Sequence, residues 1–252
     1  MQRLIGGLVL SIIVLLSACS TNGVREENPK TQLAQTNVEL GVGYLQQGNR
    51  KYAMEKLNKA LKLDPNLASA HHAIALAYQQ SGQMELAEKH FLRALQLDPK
   101  DGALHNNYGG FLCGEMRLDE AEAQFKQALN DPAYDTPARA LENAGLCMLR
   151  KPNPEKAAQY FRKALEINPK LPSSLFELAK ISLEKKNYLP ARAYLQRLQE
   201  VSSATPQSLW IGIQIERELG NTQAVTTYAA ELKSKFPNSN EIRMLRESNG
   251  GS

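Results

Sequence analysis

The stretch DPNLASAHHAIALAYQQSGQMELAEKHFLRALQLDP, residues 64–99, holds the period on which the rest of the chain is built. It lies between two Asp-Pro pairs and divides at Ser81 and Gly82 into two amphipathic runs of helical spacing. Small residues stand at Ala75, Ala87 and Ala94, bulky ones at Tyr78 and Phe91, and Pro99 closes the second run. Small residues at the eighth and twentieth places of the unit let two helices approach closely. Bulky residues at the eleventh and twenty-fourth places fill the space around them. The unit therefore reads as helix, turn, helix. Ser81-Gly82 breaks it in half, and proline stops the second helix because it lacks an N–H and clashes with the preceding turn.

Displaced by 34 residues, the same places recur in both directions. One unit earlier stand Gly41, Tyr44, Ala53, Leu57, Ala60 and Pro65, and one unit later Gly109, Leu112, Ala121, Phe125 and Ala128. A fourth unit has Gly145, Met148, Ala157, Phe161, Ala164 and Pro169. A weaker fifth has Ala179, Ala191, Leu195 and Leu198, and a sixth has Gly212, Ile215, Ala224, Tyr228 and, one place late, Pro237. Turn residues at Gly48-Asn49, Gly114, Pro152-Asn153-Pro154 and Gly220-Asn221 halve the other units. Between Pro99 and Pro169 the spacing is 70, two more than twice the period, and the excess falls in NDPAYDTPARA, residues 130–140, where a lengthened helix end or loop is expected.

This pattern resembles the tetratricopeptide repeat, whose 34-residue unit carries small, aromatic and proline positions at these intervals. The resemblance implies an all-α, right-handed superhelical solenoid of about six helix-turn-helix repeats, placed at 34–67, 68–101, 102–137, 138–171, 172–204 and 205–238. No single hairpin buries its own apolar stripe; stacking neighbours does so and leaves a concave face. Residues 239–252 are expected to form a cap and tail.

The N-terminus reads as an address. After Met-Gln-Arg, residues 4–16 form a 13-residue run whose only polar side chain is Ser11. A membrane-spanning helix needs about 20 residues, so the run fits a secretory leader, residues 1–18, better than a span. Its exit, Leu16-Ser17-Ala18-Cys19, resembles the bacterial lipobox. That resemblance implies lipidation of Cys19 and cleavage before it; Ser20 in the following place implies the outer membrane, with the chain facing the periplasm. Several acyl chains hold where one alone binds marginally. Residues 19–33 are polar and read as a tether. No later apolar stretch is long enough to span.

The 30 basic and 26 acidic residues leave a net charge of +4. The two signs are interleaved, and no basic block argues for nucleic acid or anionic lipid. With Cys19 lipidated, Cys113 and Cys147 remain. They fall at the twelfth and tenth places of neighbouring first helices, whose axes run about 8–10 Å apart. A disulfide in an oxidising compartment and a pair of small buried thiols are both compatible with that spacing.

No catalytic constellation emerges: there is no glycine-rich phosphate loop before a lysine and no His-Glu-x-x-His. His71 and His105 occupy the fourth place of successive units, and core packing explains them better than a metal pair. The sequence implies neither an enzyme nor a cofactor. A solenoid groove binds polypeptide, and groove places on the first helices hold His72, Leu76, Gln79, Asn106, Arg139, Leu146 and Phe176, with Asn107 beside them. This mixed surface suits a peptide held by apolar pockets and amide hydrogen bonds.

Asn106, Asn107, Tyr108 and Gly109, then Phe111, Leu112 and Cys113, and later Glu142 to Cys147, are more specific than the generic repeat. With the lipobox and six units, the chain resembles the type IV pilus biogenesis and stability lipoproteins, the PilW/PilF family of pilotins. The resemblance implies a lipidated escort that binds the outer-membrane secretin, alongside other type IV pilus components, and helps it reach or assemble in that membrane. The same architecture also serves a periplasmic scaffold that regulates cell-wall synthases or outer-membrane protein assembly.

Overall fold

The computed structural model describes residues 28–151 and 153–248. The leader (1–18), the lipobox cysteine Cys19 and most of the expected tether lie outside the described residues, as does the end of the tail.

Thirteen α-helices and no strands are found among the described residues. Twelve of them form six antiparallel hairpins: α1 (Pro29–Gln46) with α2 (Arg50–Leu63), α3 (Ala68–Gln80) with α4 (Met84–Leu97), α5 (Gly102–Gly114) with α6 (Leu118–Ala128), α7 (Pro137–Met148) with α8 (Pro154–Ile167), α9 (Pro172–Glu184) with α10 (Tyr188–Val201), and α11 (Pro206–Glu218) with α12 (Thr222–Lys235). α13 (Asn240–Ser248) packs on α11 and α12 and buries Ile242 and Leu245 with Leu209, Ile213 and Leu232. The molecule is an all-α tetratricopeptide-type solenoid.

Within each hairpin the close approach is made where the period places its small residues. Gly145 packs so tightly on Phe161 that an added Cβ would lie 2.6 Å from the ring. The corresponding distances are 2.8 Å for Gly109 on Phe125 and 2.7 Å for Gly41 on Leu57. Ala75, Ala87, Phe91 and Ala94 are fully buried in the parent unit. Such contacts are close to the packing limit, so even one methylene is felt.

Two local features depart from the sequence reading, and a third gives an expected one its form. α1 begins at Pro29, inside the expected tether 19–33, because proline suits the first helical turn and the Asn28 side chain accepts a hydrogen bond from the Lys30 N–H. The Thr31 hydroxyl donates to Asp64 and Ala34 is buried, which fastens the early turns to the first hairpin. The turn that Gly114 was expected to make is made by Met116. Gly114 ends α5, and Met116 takes φ 61°, a left-handed value that glycine holds at the equivalent Gly48, Gly82 and Gly220. Lys186 does the same at φ 60°. The two extra residues of the third interval appear as a long loop between Ala128 and Pro137, preceded by a shortened α6. That loop folds back on α5: Asp131 Oδ2 accepts from the Gly102 N–H at 2.9 Å, and Tyr134 covers Gly102 so closely that a Cβ there would meet it at 2.7 Å.

Urea denaturation tests both the packing and the strain. Gly145→Ala is expected to destabilise by about 1–3 kcal/mol through overpacking against Phe161. Met116→Gly is expected to stabilise by about 1 kcal/mol by relieving the left-handed conformation, less the entropy glycine adds to the unfolded chain.

Candidate partner-binding groove

The first helices of the hairpins contact one another in sequence, α1 with α3, α5 with α7, α7 with α9 and α9 with α11, and α13 continues the row against α11. Polar side chains bridge this row. Ser69 Oγ donates to Gln35 Oε1 at 2.8 Å, Asn107 Nδ2 donates to His72 Nε2 at 2.9 Å, and Asn143 Nδ2 donates to Asn106 Oδ1 at 3.0 Å. The Ser174 hydroxyl and N–H both donate to Glu142 Oε1, at 2.9 and 3.0 Å. Since Asn107 Nδ2 only donates, His72 Nε2 accepts. The ring is therefore neutral, in keeping with the burial that lowers its pKa against the pull of Asp101.

Asn106 requires a correction. It is 5 % exposed and spends its amide oxygen on Asn143, so it joins two repeats and is not open to a partner. The sequence reasoning that a buried amide needs a partner was sound; the partner is the next repeat. Asn107 and His72 are half-buried and satisfy each other. Leu76 and Phe176 are half-buried against the main core, and Gln79 is half-buried. Arg139 is exposed, and Leu146 is 39 % exposed, an open apolar side chain on α7. The eight residues are thus not gathered into one pocket.

Of the eight, Phe176 alone lines an open cavity of about 500 Å³ between α9, α11 and α13. Leu183 and Lys180 of α9, Trp210, Ile211 and Gln214 of α11, and Met244 of α13 share its wall, with Glu184, Gln207 and Glu241 also lining it. The Arg217 guanidinium lies 5.9 Å from the centre of the Trp210 ring. Trp210 and Met244 were missed in the sequence. The single tryptophan of the chain, placed on a first helix, was an available signal for the former; nothing in the repeat pattern signals Met244, because α13 lies outside the period. Nearby, Glu177 Oε2 is buried without a hydrogen bond and the Lys180 Nζ lies 4.0 Å away, so desolvation raises the carboxyl's pKa. An aromatic and aliphatic wall with a few amides and charges holds a large apolar side chain of a peptide and directs its backbone. No group of three or more metal-ligating side chains occurs among the described residues.

On α5 and α7, Cys113 Sγ and Cys147 Sγ lie 2.24 Å apart, with the Cα atoms separated by 5.8 Å. Phe91, Tyr108 and Phe111 cluster with ring centres 5.4–5.9 Å apart and join the second repeat to the third.

Residues 43–82 match the TPR repeat family, and residues 68–101 and 114–172 match tetratricopeptide repeat families. The type IV pilus assembly protein PilF of Pseudomonas aeruginosa is 33 % identical over 242 residues, covering 94 % of this chain and 95 % of that protein. The chain belongs to the PilF/PilW family of tetratricopeptide-repeat proteins. A solved structure of Pseudomonas aeruginosa PilF superposes with a TM-score of 0.81 at 32 % identity, over 88 % of this chain and all of that one. The crystal structure of PilW, a type IV pilus biogenesis factor, gives 0.74 at 31 % identity over 85 % and 98 %. An uncharacterized protein of Haemophilus influenzae is 38 % identical over 156 residues, or 62 % of this chain and 87 % of its own. Family membership thus spans the solenoid from end to end.

His71 and His105 sit alike in successive repeats but meet different partners. Each directs Nε2 to a proline carbonyl, Pro65 at 3.2 Å and Pro99 at 3.1 Å. Nδ1 of His105 faces Gln124, whereas Nδ1 of His71 faces Nδ1 of His90 at 3.0 Å. One proton serves that His–His contact, so a second is repelled. Burial, then the charge of His71, then Lys89 hold His90 down to about 4. Between pH 6.5 and that value the unfolded chain binds a proton the folded protein refuses, so stability is full above pH 6.5 and falls as the pH drops through the window. Thermal melts are expected to show this loss between pH 6.5 and about 4.5, before the carboxylates contribute. His90→Gln, which copies Gln124 of the next repeat, is expected to reduce it, leaving the part that the buried His71 and His72 contribute.

Proposed function

We propose that this protein is an outer-membrane lipoprotein, anchored through Cys19 on the periplasmic face, that binds the type IV pilus secretin and promotes its localisation or multimerisation. The observation that carries the reading is similarity along the whole solenoid to a type IV pilus assembly protein, 94 % of this chain against 95 % of the relative. The leader and lipobox supply the anchor. Among the described residues no helix is long and apolar enough to cross a membrane. A groove on one end of a lipidated chain raises the concentration of a captured secretin segment at the bilayer, which is the physical work of an escort.

In this reading Phe176, Trp210 and Met244 form the apolar anchor point, with Leu146 exposed farther along the row of first helices. Copurification from membranes tests it. Secretin subunits are expected with the wild-type protein, and Cys19→Ser is expected to leave secretin multimers reduced in the outer membrane. Phe176→Ala with Trp210→Ala is expected to weaken capture by tenfold or more, as loss of a buried aromatic anchor does. Undiminished secretin copurification would move the site elsewhere, and wall enzymes or barrel-assembly components in its place would replace the reading.

The Cys113 and Cys147 thiols are proposed to be joined in the oxidising periplasm. Closing a loop of 34 residues stabilises by about 3–4 kcal/mol in the chain-entropy account. Alkylation without reduction is expected to leave both cysteines unlabelled in mass spectra, and the double serine variant is expected to melt at lower temperature.

A further inference from the structure

The net charge of the chain is concentrated in one helix. α2, RKYAMEKLNKALKL, carries Arg50, Lys51, Lys56, Lys59 and Lys62 against Glu55 alone, a balance of +4, equal to that of the whole protein. The second helices of the other five repeats range from −2 to +1. Along the chain as a whole the two signs are interleaved, which hides this block. Helical spacing collects the lysines: Lys51, Glu55, Asn58 and Lys62 follow one face, Tyr52 and Lys59 border it, and all six are exposed. Glu55 is engaged by Lys56 at 3.7 Å. Lys51, Lys59 and Lys62 make no ion pair among the described residues.

The same hairpin leaves apolar groups uncovered. Tyr52 on α2 and Leu33 and Leu40 on α1 are each about half exposed. Leu33 and Leu40 are seven residues apart and so share a helix face. At the other end of the solenoid α13 covers α11. Among the described residues no helix does the same for the outer side of the first hairpin, and an uncovered solenoid end needs a cover.

We propose that the first hairpin rests on an anionic lipid surface, with α2 supplying lysines to the phosphate headgroups and Tyr52 reaching the interface. Two arguments choose this occupant. Charge complementarity is the first: a row of unpaired lysines on the same helix as the exposed Tyr52 is the composition of an interfacial helix. Reach is the second, and it rests on the lipid anchor of the proposed function. Eight residues lie between Cys19 and Asn28, and the nine Cα-to-Cα steps span at most about 32 Å, so the first hairpin is the part of the fold held nearest the bilayer. The acyl chains and the basic face are then two membrane signals on one chain, and the second orients what the first tethers.

Every described helix lies downstream of residue 28, so a chain beginning at Ser20 retains the fold and removes the acyl contribution. Its cosedimentation with phosphatidylcholine vesicles, with and without about 30 mol% phosphatidylglycerol, is measured at about 50 and about 300 mM salt. Binding to the anionic vesicles alone, weakened by salt, is expected. Lys51→Gln with Lys59→Gln and Lys62→Gln is expected to reduce the binding constant by roughly a hundredfold with an unchanged melting temperature. Removing three lysines elsewhere, Lys163, Lys233 and Lys235 to Gln, is expected to matter little. An equal loss in that control would reduce the effect to net charge and overturn the proposal. So would equal binding to both vesicle types, or no binding, which would leave the face to an acidic protein. Copurification of secretin and the mass of lipidated Cys19 are separate readouts, so failure here is distinguishable from failure of the escort or of the anchor.

Discussion

The closeness of two helices at six repeated points is the constraint on which the rest of the structure depends. Gly41, Gly109 and Gly145 leave no room for a Cβ against Leu57, Phe125 and Phe161, and Ala75 and Ala179 are wholly buried in the corresponding places. Helices this close behave as a thin plate. A plate has two apolar faces and buries them only against another plate, so stacking follows from the crossing and the solenoid from the stacking. The core is accordingly a chain of local clusters: one joins the first hairpin to α3, a long one runs from α3 to α11, and one lies beneath α13. The first and last plates carry faces that the repeat itself cannot cover.

Stacking also decides what the groove can offer. Side chains on the first helices serve two masters: those near the junctions tie one repeat to the next, and the others face the open side. Ser69, Asn107, Asn143 and Ser174 belong to the junctions, each bonded to the preceding repeat. Amides used in this way are satisfied and unavailable, and their removal acts on register before it acts on recognition. The surface left for a partner is correspondingly more apolar than a list of groove residues suggests, and it includes the space that α13 opens beside Trp210 where it departs from the repeat.

The period was legible because steric exclusion leaves a mark that single residues reveal. Glycine or alanine at one place and a ring sixteen residues later recur often enough to identify all six hairpins, and the prolines set most of the boundaries between them. The turns were less legible. A glycine near a turn attracts the eye, yet Gly114 is a helix end and Met116 carries the left-handed conformation, because what matters is the count from the packing residues and not residue type. The start of α1 was hidden for a related reason: polar composition suggests a tether, while Asn28 and Pro29 together begin a helix. The site was least legible. Burial of Asn106 depends on Asn143, two helices later, and the cavity depends on α13, which follows no repeat.

The two ends of the array are unlike, and that difference gives the molecule a direction. At the C-terminal end α13 buries Ile242 and Leu245 over Leu209 and Ile213. At the N-terminal end Leu33, Leu40 and Tyr52 remain half exposed beside a helix of charge +4. Repeats joined by interdigitated side chains, a row of hydrogen bonds and the Cys113–Cys147 contact transmit orientation along the stack, since no plate turns without repacking its neighbours. An acyl anchor, where the proposed function places one, fixes only the distance of such a body from a membrane. In the proposed arrangement contact through the first hairpin fixes its attitude as well, and the cavity beside Trp210, five repeats away, is carried at a set height and bearing from the bilayer. Capture of a partner segment at that point then costs less orientational freedom than capture by a body swinging on its tether, which is the advantage a second, weak membrane contact confers on a scaffold that is already anchored.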